Sequence, residues 1–464
     1  MTISRDCRPF FQPESVAVVG AGERLTSSGG AVLRNLIASN YAGPIVPVNP
    51  KGGEILGLPA ATSLSELQRP ADLAVVVIRP DFILDIVDEA AATNHKNLMI
   101  LPGGFREAGA EGIAREAELL RKADAAGITI FGPNCAGIIH LAESTPFAAT
   151  FLRDLPPGGG IATISQSGAI TEEIIAKANI NRLPVSTVVS VGNAIHLEVT
   201  DYLEYLGNQD SCSCVLLYIE SITNVDRFRK IARKVASKKP VVALMGGGTK
   251  EGAAAVRNHT GGVAIPNATI DAFLRDCGVI RVPSVRHLLL AAKGFGLHPG
   301  GIGLRALLLS NSGGPGVITT DQLRAEGLEM PGLPDSYAVQ LRAILPDEAA
   351  VANPVDLLAD ARADRFGPAL EGAIAHGSDV FDAILMIHVV PFMVDAGPII
   401  NTLSRSAEGA GLPCFHSMMG TLEHQAEWFM KMEAAGVPTF NDSESMAETA
   451  GILAQYPRLK ASLR

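Results

Sequence analysis

Short runs of apolar, mostly β-branched residues alternate with amphipathic stretches along almost the whole chain. The first run covers residues 15–20, and others follow at 45–48, 73–78, 97–101 and 128–131. Such runs are typical of buried parallel strands, and the amphipathic stretches between them are typical of crossover helices. Because a chain of 464 residues is too long for a single core, we expect two or three α/β domains.

Two stretches rich in proline and glycine, Pro156–Gly160 and Leu297–Gly303, interrupt this alternation. They divide the chain into a Rossmann-like domain over residues 1–150 and two flavodoxin-like domains over residues 151–297 and 298–464. In open α/β sheets, ligands bind beyond the carboxyl ends of the strands. The residues that follow the strands are therefore the first candidates for a functional site.

The composition excludes several classes of protein. A net charge of −10 and a pI of about 5.5 argue against nucleic acid as a partner. The stretch that comes closest to a membrane span, Phe381–Val394, contains Asp382 and His388, and the first residues lack the apolar region of a signal peptide. The six cysteines are scattered, and only Cys212 and Cys214 lie close together. We therefore expect no metal site, no membrane partner and a cytoplasmic location.

The first apolar run ends in Gly20-Ala21-Gly22, like the start of a dinucleotide-binding loop. Two features argue against NAD. Leu25 stands where the third glycine is needed, and Asn49-Pro50-Lys51 follows the second strand, where an NAD enzyme places Asp or Glu. The Lys51 cation suits a phosphate, so a nucleotide with an additional phosphate is the better ligand. The alternative is that these glycines only form tight turns.

Two later strands each end in a small polar turn that precedes a helix. The first turn is Ser165-Gln166-Ser167-Gly168, and the second is Ser312-Gly313-Gly314-Pro315-Gly316. A helix start of this kind binds anions, because its unpaired backbone N–H groups and the positive end of its dipole point at one spot. Two such sites in different domains suggest one phosphate held between them.

One histidine, His259, lies in a stretch rich in glycine and alanine after the apolar run 240–244. The composition of residues 245–262 predicts a mobile loop. His259 lies on no hydrophobic face, and imidazole is a nucleophile, so we interpret it as a phosphate carrier. Glu220 ends the preceding strand; taken alone, it is more easily interpreted as a surface carboxylate. His388 and His416 are expected at strand ends, in structural roles.

Seven motifs in this order resemble the α subunit of the NDP-forming acyl-CoA synthetases, relatives of succinyl-CoA synthetase. The resemblance covers nearly the whole chain, as a CoA-binding domain followed by two ligase domains. The motifs are Val19-Gly20-Ala21, Val48-Asn49-Pro50, Gly132-Pro133-Asn134-Cys135, Ser165-Gln166-Ser167-Gly168-Ala169, Val191-Gly192-Asn193, Asn258-His259-Thr260-Gly261 and Ser312-Gly313-Gly314-Pro315-Gly316.

The resemblance implies a role for each candidate residue. His259 becomes phosphorylated, and Glu220 holds its ring nitrogen. The glycine-rich helix starts bind phosphate, through Ser165, Gln166, Ser167, Gly168, Gly313, Gly314 and Gly316. Coenzyme A is bound by the first domain, through Gly20, Ala21, Gly22, Ser28, Asn49, Lys51 and Asn134.

The resemblance also implies a partner. The chain contains no Gly-x-x-x-x-Gly-Lys-[Ser/Thr] motif, and in such enzymes ATP or ADP and Mg²⁺ are bound by an ATP-grasp part that is fused or lies on a separate β subunit. We therefore expect an αβ hetero-oligomer that interconverts acyl-CoA, NDP and phosphate with carboxylic acid, CoA and NTP, through an acyl phosphate.

Two departures from the family pattern concern the acyl substrate and the contacts to CoA. Ala194-Ile195-His196-Leu197 replaces a basic and an acidic residue, and the loop Glu23–Ser28 lacks the usual proline and lysine. Two alternatives stay open at this point: a non-catalytic subunit that binds or senses CoA, and an NAD-dependent dehydrogenase.

Overall fold

The computed structural model describes residues 5–24, 26–141, 145–260, 267–390, 395–420 and 424–463, without the side chains of residues 255, 257–260 and 378. The chain divides into two compact units, one ending at Ala292 and one beginning at Lys293. The first unit contains a five-stranded sheet, a seven-stranded sheet and a two-stranded ribbon, and the second unit contains one five-stranded sheet. No helix in the described ranges is both long enough and apolar enough to cross a membrane.

The first sheet has five parallel strands in the order β2-β1-β5-β6-β7. Every side chain of Val16–Val19 is buried, as expected for a central strand with helices on both faces. Its elements in chain order are α1 (Arg8–Phe11), β1 (Val16–Val19), α2 (Ser28–Ala38), β2 (Ile45–Val48), β3 (Glu54–Ile55), β4 (Leu58–Pro59), β5 (Leu73–Val76), α3 (Ile83–Ala92), β6 (Asn97–Ile100), α4 (Ala110–Ala126) and β7 (Thr129–Phe131).

The second sheet has seven strands in the order β14-β13-β12-β10-β11-β8-β9. Its elements are β8 (Gly137–His140), β9 (Phe147–Thr150), β10 (Ile161–Ser165), α5 (Gly168–Asn181), β11 (Val185–Ser190), α6 (Val199–Gly207), β12 (Cys214–Ile219), α7 (Val225–Ala236), β13 (Val241–Met245), α8 (Lys250–Thr260), α9 (Asn267–Asp276), β14 (Ile280–Arg281) and α10 (Val285–Leu297). The β8–β9 hairpin pairs antiparallel with β11. The domain boundary predicted at residue 150 therefore follows a hairpin that belongs to the second sheet.

The third sheet, in the second unit, has five parallel strands in the order β16-β15-β17-β18-β19. Its elements are β15 (Ala306–Ser310), α11 (Gly313–Ala325), α12 (Asp335–Ile344), β16 (Val355–Asp356), α13 (Ala363–Val380), β17 (Ala383–Val390), α14 (Gly397–Ala407), β18 (Cys414–Gly420), α15 (Gln425–Ala434), β19 (Thr439–Phe440) and α16 (Ser443–Ser462). Counted along the chain, the parallel strands of all three sheets follow the doubly wound order 2-1-3-4-5.

The loop predicted over residues 245–262 is wrong for residues 250–260, which form helix α8. After Gly248 only one glycine, Gly252, occurs up to residue 260, and the alanines that follow it favour helix. Thr249 begins the helix: its Oγ1 accepts a hydrogen bond from the Gly252 N–H at 3.0 Å, and its carbonyl accepts one from the Ala253 N–H at 2.8 Å. The remainder of the stretch, from Gly261, lies outside the described residues.

The positions expected for two histidines are also corrected. His388 and His416 were placed at strand ends, but β17 continues to Val390 and β18 to Gly420. Both histidines are therefore interior strand residues, and both are completely buried. Alternation along β17 and β18 places them on the face of the sheet that carries the apolar core, which includes Met386.

Candidate functional site

The turn after β10, residues 165–168, is named the first phosphate turn here. The Ser165 Oγ accepts a hydrogen bond from the Ser167 N–H at 3.1 Å and donates one to the Ser167 carbonyl at 2.8 Å. Ser167 is the N-cap of α5, and its Oγ accepts from the Ile170 N–H. The N–H groups of Gly168 and Ala169 belong to the first turn of a 14-residue helix, where they have no intrahelical partner. The geometry therefore suits an anion.

Gln166 joins this turn to the end of the neighbouring strand β12. Its Oε1 accepts hydrogen bonds from the N–H groups of Glu220 (2.5 Å) and Ser221 (3.0 Å), and its Nε2 donates to the Ser221 carbonyl (3.0 Å). Strands β10 and β12 lie on either side of the point where the chain reverses its winding direction, and doubly wound sheets bind ligands at that point. Glu220 is thereby fixed at the edge of the first phosphate turn.

The Glu220 carboxylate is only 7% exposed. The Tyr218 hydroxyl donates to its Oε1 at 3.2 Å. Burial and the neighbouring Glu220 charge raise the pKa of Tyr218 to about 12, so the phenol keeps its proton at neutral pH. Gly246, which follows β13, donates its N–H to the Ile219 carbonyl at 2.9 Å. A side chain added at Gly246 would begin 3.9 Å from the Cγ of Glu220. The β13 end thus lies beside the Glu220 carboxylate.

His259 is the penultimate residue of α8, the helix that follows β13 and its glycines. Its side chain lies outside the described residues. The backbone conformation at Gly247, φ +80°, requires glycine because an L side chain rarely adopts it. Strand β13 lies next to β12 in the sheet. Glu220 follows β12, and the segment that carries His259 follows β13.

A second phosphate turn, residues 310–314, repeats the geometry of the first in the second unit. The Ser310 Oγ accepts from the Ser312 N–H at 3.1 Å and donates to its carbonyl at 2.8 Å. Asn311 takes the place of Gln166: its Oδ1 accepts from the Val389 N–H at 2.8 Å and its Nδ2 donates to the Val389 carbonyl at 2.9 Å. Val389 thus stands where the first turn has Glu220, so only the first turn has a carboxylate at that place.

The predicted phosphate-binding residues fall into two groups. Gly168, Gly313 and Gly314 present the first N–H groups of α5 and α11, whereas Ser167 is the N-cap of α5 and its N–H is used within the turn. Ser165, Gln166 and Gly316 shape the turns instead. The Ser165 hydroxyl bonds the Ser167 backbone, and the Gln166 amide bonds the backbone of Glu220 and Ser221. The Gly316 N–H donates to the Ser312 carbonyl at 3.2 Å. Sequence reasoning missed the bracing by Gln166 and Asn311, although an amide side chain between two serines recurs in both turns.

The residues predicted to bind CoA on the first sheet surround the start of α2. Gly20 has φ +90°, and a Cβ there would come 2.5 Å from the Val77 carbonyl oxygen. A Cβ at Gly29 would come 2.1 Å from the Gly20 carbonyl oxygen, so the loop and the helix start touch through backbone atoms. Ser28 is the first residue of this 11-residue helix, whose N-cap is Ser27. A glycine loop packed on a helix start suits a pyrophosphate.

The turn after β2 completes this group. The Asn49 Nδ2 donates to the Ala21 carbonyl at 2.7 Å, and its Oδ1 accepts from the Lys51 N–H at 3.0 Å. Lys51 is exposed and Gly22 is partly buried with open space around it. Asn134 follows β7, which lies three strands, or about 14 Å, from β1 in the sheet. Hydrogen-bond donors at one end of this surface and Asn134 at the other suit a long ligand with its phosphates at one end, and CoA is such a ligand.

The segment that departs from the family pattern, Ala194–Leu197, packs against the first sheet. The His196 Nδ1 accepts a hydrogen bond from the Ile130 N–H at 3.0 Å. Burial and the Arg5 cation lower the pKa of His196 to about 4, against the opposing effect of Asp124. The imidazole is therefore neutral at pH 7, and its contacts are those of a structural residue.

Family models match both parts of the first unit. A CoA binding domain matches residues 14–141, and a succinyl-CoA ligase like flavodoxin domain matches residues 158–295. Together with the two phosphate turns, these matches define the class of the protein as an acid–thiol ligase that binds CoA.

Curated relatives narrow the class to a family. The chain is 32% identical over 455 residues to the α subunit of the ADP-forming acetate–CoA ligase II of Pyrococcus furiosus, and the match covers 97% of each chain. It is also 32% identical over 461 residues to the ADP-forming acetate–CoA ligase I of Archaeoglobus fulgidus, where it spans 98% of this chain but 64% of that longer relative. The chain belongs to the family of ADP-forming acyl-CoA ligases.

Solved structures agree with this assignment. The acetyl-coenzyme A synthetase 1 of Ca. Korarchaeum cryptofilum, determined in complex with phosphate and ADP, superposes with a TM-score of 0.92 at 26% identity, over 99% of this chain and 98% of that chain. The relatives named here are ligases, and they give no support to a dehydrogenase or to a non-catalytic CoA sensor.

Proposed function

We propose that this chain is the α subunit of an ADP-forming acyl-CoA synthetase, which interconverts acyl-CoA, ADP and phosphate with a carboxylic acid, CoA and ATP. The observation that carries the proposal is the junction of β10, β12 and β13. There the first phosphate turn, the buried Glu220 and the start of the segment leading to His259 lie together. An anion site, an orienting carboxylate and a nucleophile are the parts that phosphoryl transfer through histidine requires.

The first step exchanges the thioester for an acyl phosphate. A phosphate oxygen attacks the thioester carbonyl, the C–S bond breaks, and CoA leaves as the thiolate. The N–H groups of Gly168 and Ala169 and the α5 dipole hold the attacking phosphate without having to reorganise. On the first sheet, Lys51 and the start of α2 hold the phosphates of CoA, with Asn134 beneath the far end of the ligand.

The second step transfers the phosphoryl group to His259. One imidazole nitrogen attacks phosphorus in line, the P–O bond to the acyl group breaks, and the carboxylate leaves. The Glu220 carboxylate accepts a hydrogen bond from the N–H of the ring and so fixes the tautomer that leaves the other nitrogen nucleophilic. Gln166 keeps Glu220 in position during this step.

The third step needs a partner. The phosphohistidine passes its phosphoryl group to ADP, and we assign ADP, ATP and Mg²⁺ to an ATP-grasp β subunit. Two findings support a separate subunit: the Pyrococcus furiosus relatives matched over nearly their whole length are named α subunits, and this sequence has no P-loop motif. The longer Archaeoglobus fulgidus relative has the length to carry such a part within one chain.

Reconstitution tests the proposal. The purified chain, alone and mixed with an ATP-grasp subunit from the same family, is supplied with ADP, phosphate and a panel of acyl-CoAs, and ATP is measured. We expect ATP only from the mixture and only with some acyl-CoAs, which identifies the acid. ATP formation by the chain alone would contradict the need for a partner, and CoA binding without turnover in any mixture would favour the non-catalytic alternative.

A further inference from the structure

The turn after β11, residues 192–195, touches both halves of the proposed site and is named the Asn193 turn here. On one side, the Val191 N–H donates to the Ser165 carbonyl of the first phosphate turn at 2.8 Å. On the other side, Gly192 lies against the first sheet: its φ is +66°, and a Cβ there would come 2.2 Å from the Pro133 carbonyl oxygen. Only glycine allows the two backbones to approach this closely.

Asn193 itself binds the turn that carries Asn134. Its N–H donates to the Pro133 carbonyl at 2.8 Å. Its Oδ1 accepts from the Asn134 Nδ2 at 3.2 Å. Asn134 has φ +57°, in the left-handed region that asparagine tolerates better than most residues. The predicted CoA contact therefore depends on Asn193 for its orientation.

The same side chain holds a third turn through two carboxylates. The Asn193 Nδ2 donates to the Glu107 Oε2 at 2.7 Å and to the Glu116 Oε2 at 2.8 Å. Glu107 in turn accepts from the N–H groups of Gly104 (2.5 Å) and Phe105 (3.0 Å), in the turn after β6. The two N–H bonds of the amide thus reach the turn after β6 and helix α4, while its Oδ1 and the backbone N–H of Asn193 hold the turn after β7.

The charges around Asn193 require a neutral donor at this position. Burial alone would raise the pKa of Glu107, but the hydrogen bonds from Asn193 and from the backbone of Phe105 and Gly104 lower it overall, so Glu107 is ionised at neutral pH. Glu116 is paired with Arg106, whose Nε lies 2.9 Å from its Oε1. An aspartate at position 193 would place a third negative charge here without a donor.

We propose that Asn193 is a positioning residue for the CoA half of the reaction. The Asn193 turn connects the first phosphate turn to the residues on the first sheet that hold the thioester end of CoA. The thioester carbonyl therefore meets phosphate at a fixed distance. A displacement of about 1 Å at a reacting centre can slow a reaction about a hundredfold. The inference rests on the proposed function, because it concerns the transfer between CoA and phosphate.

Two routes of labelling His259 test the inference. Acyl-CoA with radiolabelled inorganic phosphate requires the CoA half of the site, whereas labelled acetyl phosphate enters after it. We expect Asn193→Ala to raise the KM for acyl-CoA and to slow labelling from acyl-CoA about tenfold or more, as when a hydrogen bond to a charged group is lost, and to leave labelling from acetyl phosphate within about twofold. Asn208→Ala, at the C-terminal end of α6, is the matched control.

A charge exchange completes the test. Asn193→Asp should be worse than Asn193→Ala, and adding Glu107→Gln and Glu116→Gln should restore labelling from acyl-CoA, because the new amides donate to the new carboxylate. The inference is overturned if Asn193→Ala slows labelling from acyl-CoA and from acetyl phosphate equally, or does not slow labelling from acyl-CoA at all. It is also overturned if the triple variant folds but its labelling from acyl-CoA is not restored. If the unsubstituted chain takes no label from either donor, the proposed function itself is wrong.

Discussion

Glu220 owes its position to a residue that lies 54 positions earlier in the chain. A carboxylate at the end of a strand is usually exposed and mobile, but here the Gln166 amide fixes the backbone on both sides of the Glu220 Cα. The Tyr218 hydroxyl then fixes one carboxylate oxygen. A group held in this way orients an imidazole without first losing conformational freedom.

Lys51 is predicted to distinguish CoA from its dephosphorylated form. Lys51→Ala removes the cation that we assign to the additional phosphate of the nucleotide. Loss of a charge-assisted contact costs about 1.5–3 kcal/mol, so the Kd for CoA should rise by roughly tenfold or more, with a much smaller change for dephospho-CoA. Calorimetry with both ligands measures this difference. The control is Lys96→Ala, because Lys96 precedes β6 and therefore lies at the amino ends of the strands, away from the proposed site. Equal weakening of both ligands would remove Lys51 from the phosphate site.

At the residue scale, the sequence indicates the reactive groups better than the groups that support them. The pattern Ser-Gln-Ser-Gly before a helix predicts an anion site from local rules alone. The hydrogen bonds of Gln166 to Ser221, and those of Asn193 to Glu107, join residues 55 and 86 positions apart. No local pattern encodes such pairs, because they depend on which strands become neighbours in the sheet.

At the scale of elements, helix α2 packs on the glycine loop that we propose for CoA, and glycine allows the contact. In a helix, alanine is more favourable than glycine by about 1 kcal/mol, so propensity alone predicts that Gly29→Ala stabilises the protein. The Cβ would, however, lie 2.1 Å from the Gly20 carbonyl oxygen, and backbone cannot yield as a side chain can.

We therefore expect Gly29→Ala to lower the free energy of unfolding by about 1–3 kcal/mol, the usual cost of overpacking. Gly314→Ala is the matched change in the first turn of α11, where a Cβ meets nothing within 4 Å, and it should leave stability unchanged or slightly higher. Urea unfolding followed by circular dichroism measures both. A stable Gly29→Ala variant would show that α2 does not press on the glycine loop.

Helix α8 shows how composition misleads at this scale. Three glycines and many small residues predict a mobile loop, but glycine breaks a helix only where it stands, and alanine is the strongest helix former. Once Thr249 supplies a cap, the residues up to Thr260 continue as a helix. The glycines therefore do not make the segment that carries His259 a mobile loop up to Thr260.

Strands β17 and β18 carry a buried pair of histidines that makes the third sheet sensitive to acid. The rings of His388 and His416 lie 6.0 Å apart, and within the described ranges neither ring has a hydrogen-bond partner. Burial lowers the pKa of His388 from 6.5 to about 4, and burial together with the neighbouring His388 lowers the pKa of His416 well below its usual value. Between pH 6.5 and pH 4 the unfolded chain therefore binds protons that the folded chain does not, and stability falls as the pH falls.

For His388 alone, the loss across this window is about 3 kcal/mol. The only tryptophan in the sequence, Trp428, lies buried in α15 of the same unit, so its fluorescence reports urea unfolding of this sheet. We expect His388→Leu to reduce the dependence of stability on pH between 6.5 and 4, because only His416 of the pair then remains, and His376→Gln on α13 to leave it unchanged. The same slope in His388→Leu as in the unsubstituted chain would show that His388 is protonated in the folded state.

At the scale of the whole molecule, three sheets repeat one doubly wound order, and two of them repeat one phosphate turn. The alternation of apolar runs predicts this α/β class, and the comparisons with known proteins confirm it. The sequence does not predict that the β8–β9 hairpin joins the second sheet, because Gly137–His140 pairs with a strand that begins 45 residues later, at Val185. Long-range pairing of edge strands leaves no periodic signal in the sequence.

We infer that inorganic phosphate reaches His259 through an acyl phosphate formed from acyl-CoA, with the help of Glu220. The most direct measurement is incubation of the purified chain with acyl-CoA and radiolabelled phosphate, followed by tests of the bond and mapping of the site. We predict a label that is lost in acid and stable in base, absent in His259→Ala, and formed about 10–100-fold more slowly in a folded Glu220→Gln variant, the range known for removal of the hydrogen-bond partner of a metal-bound histidine. A label that persists in His259→Ala, or one that forms in Glu220→Gln at the rate of the unsubstituted chain, would contradict it.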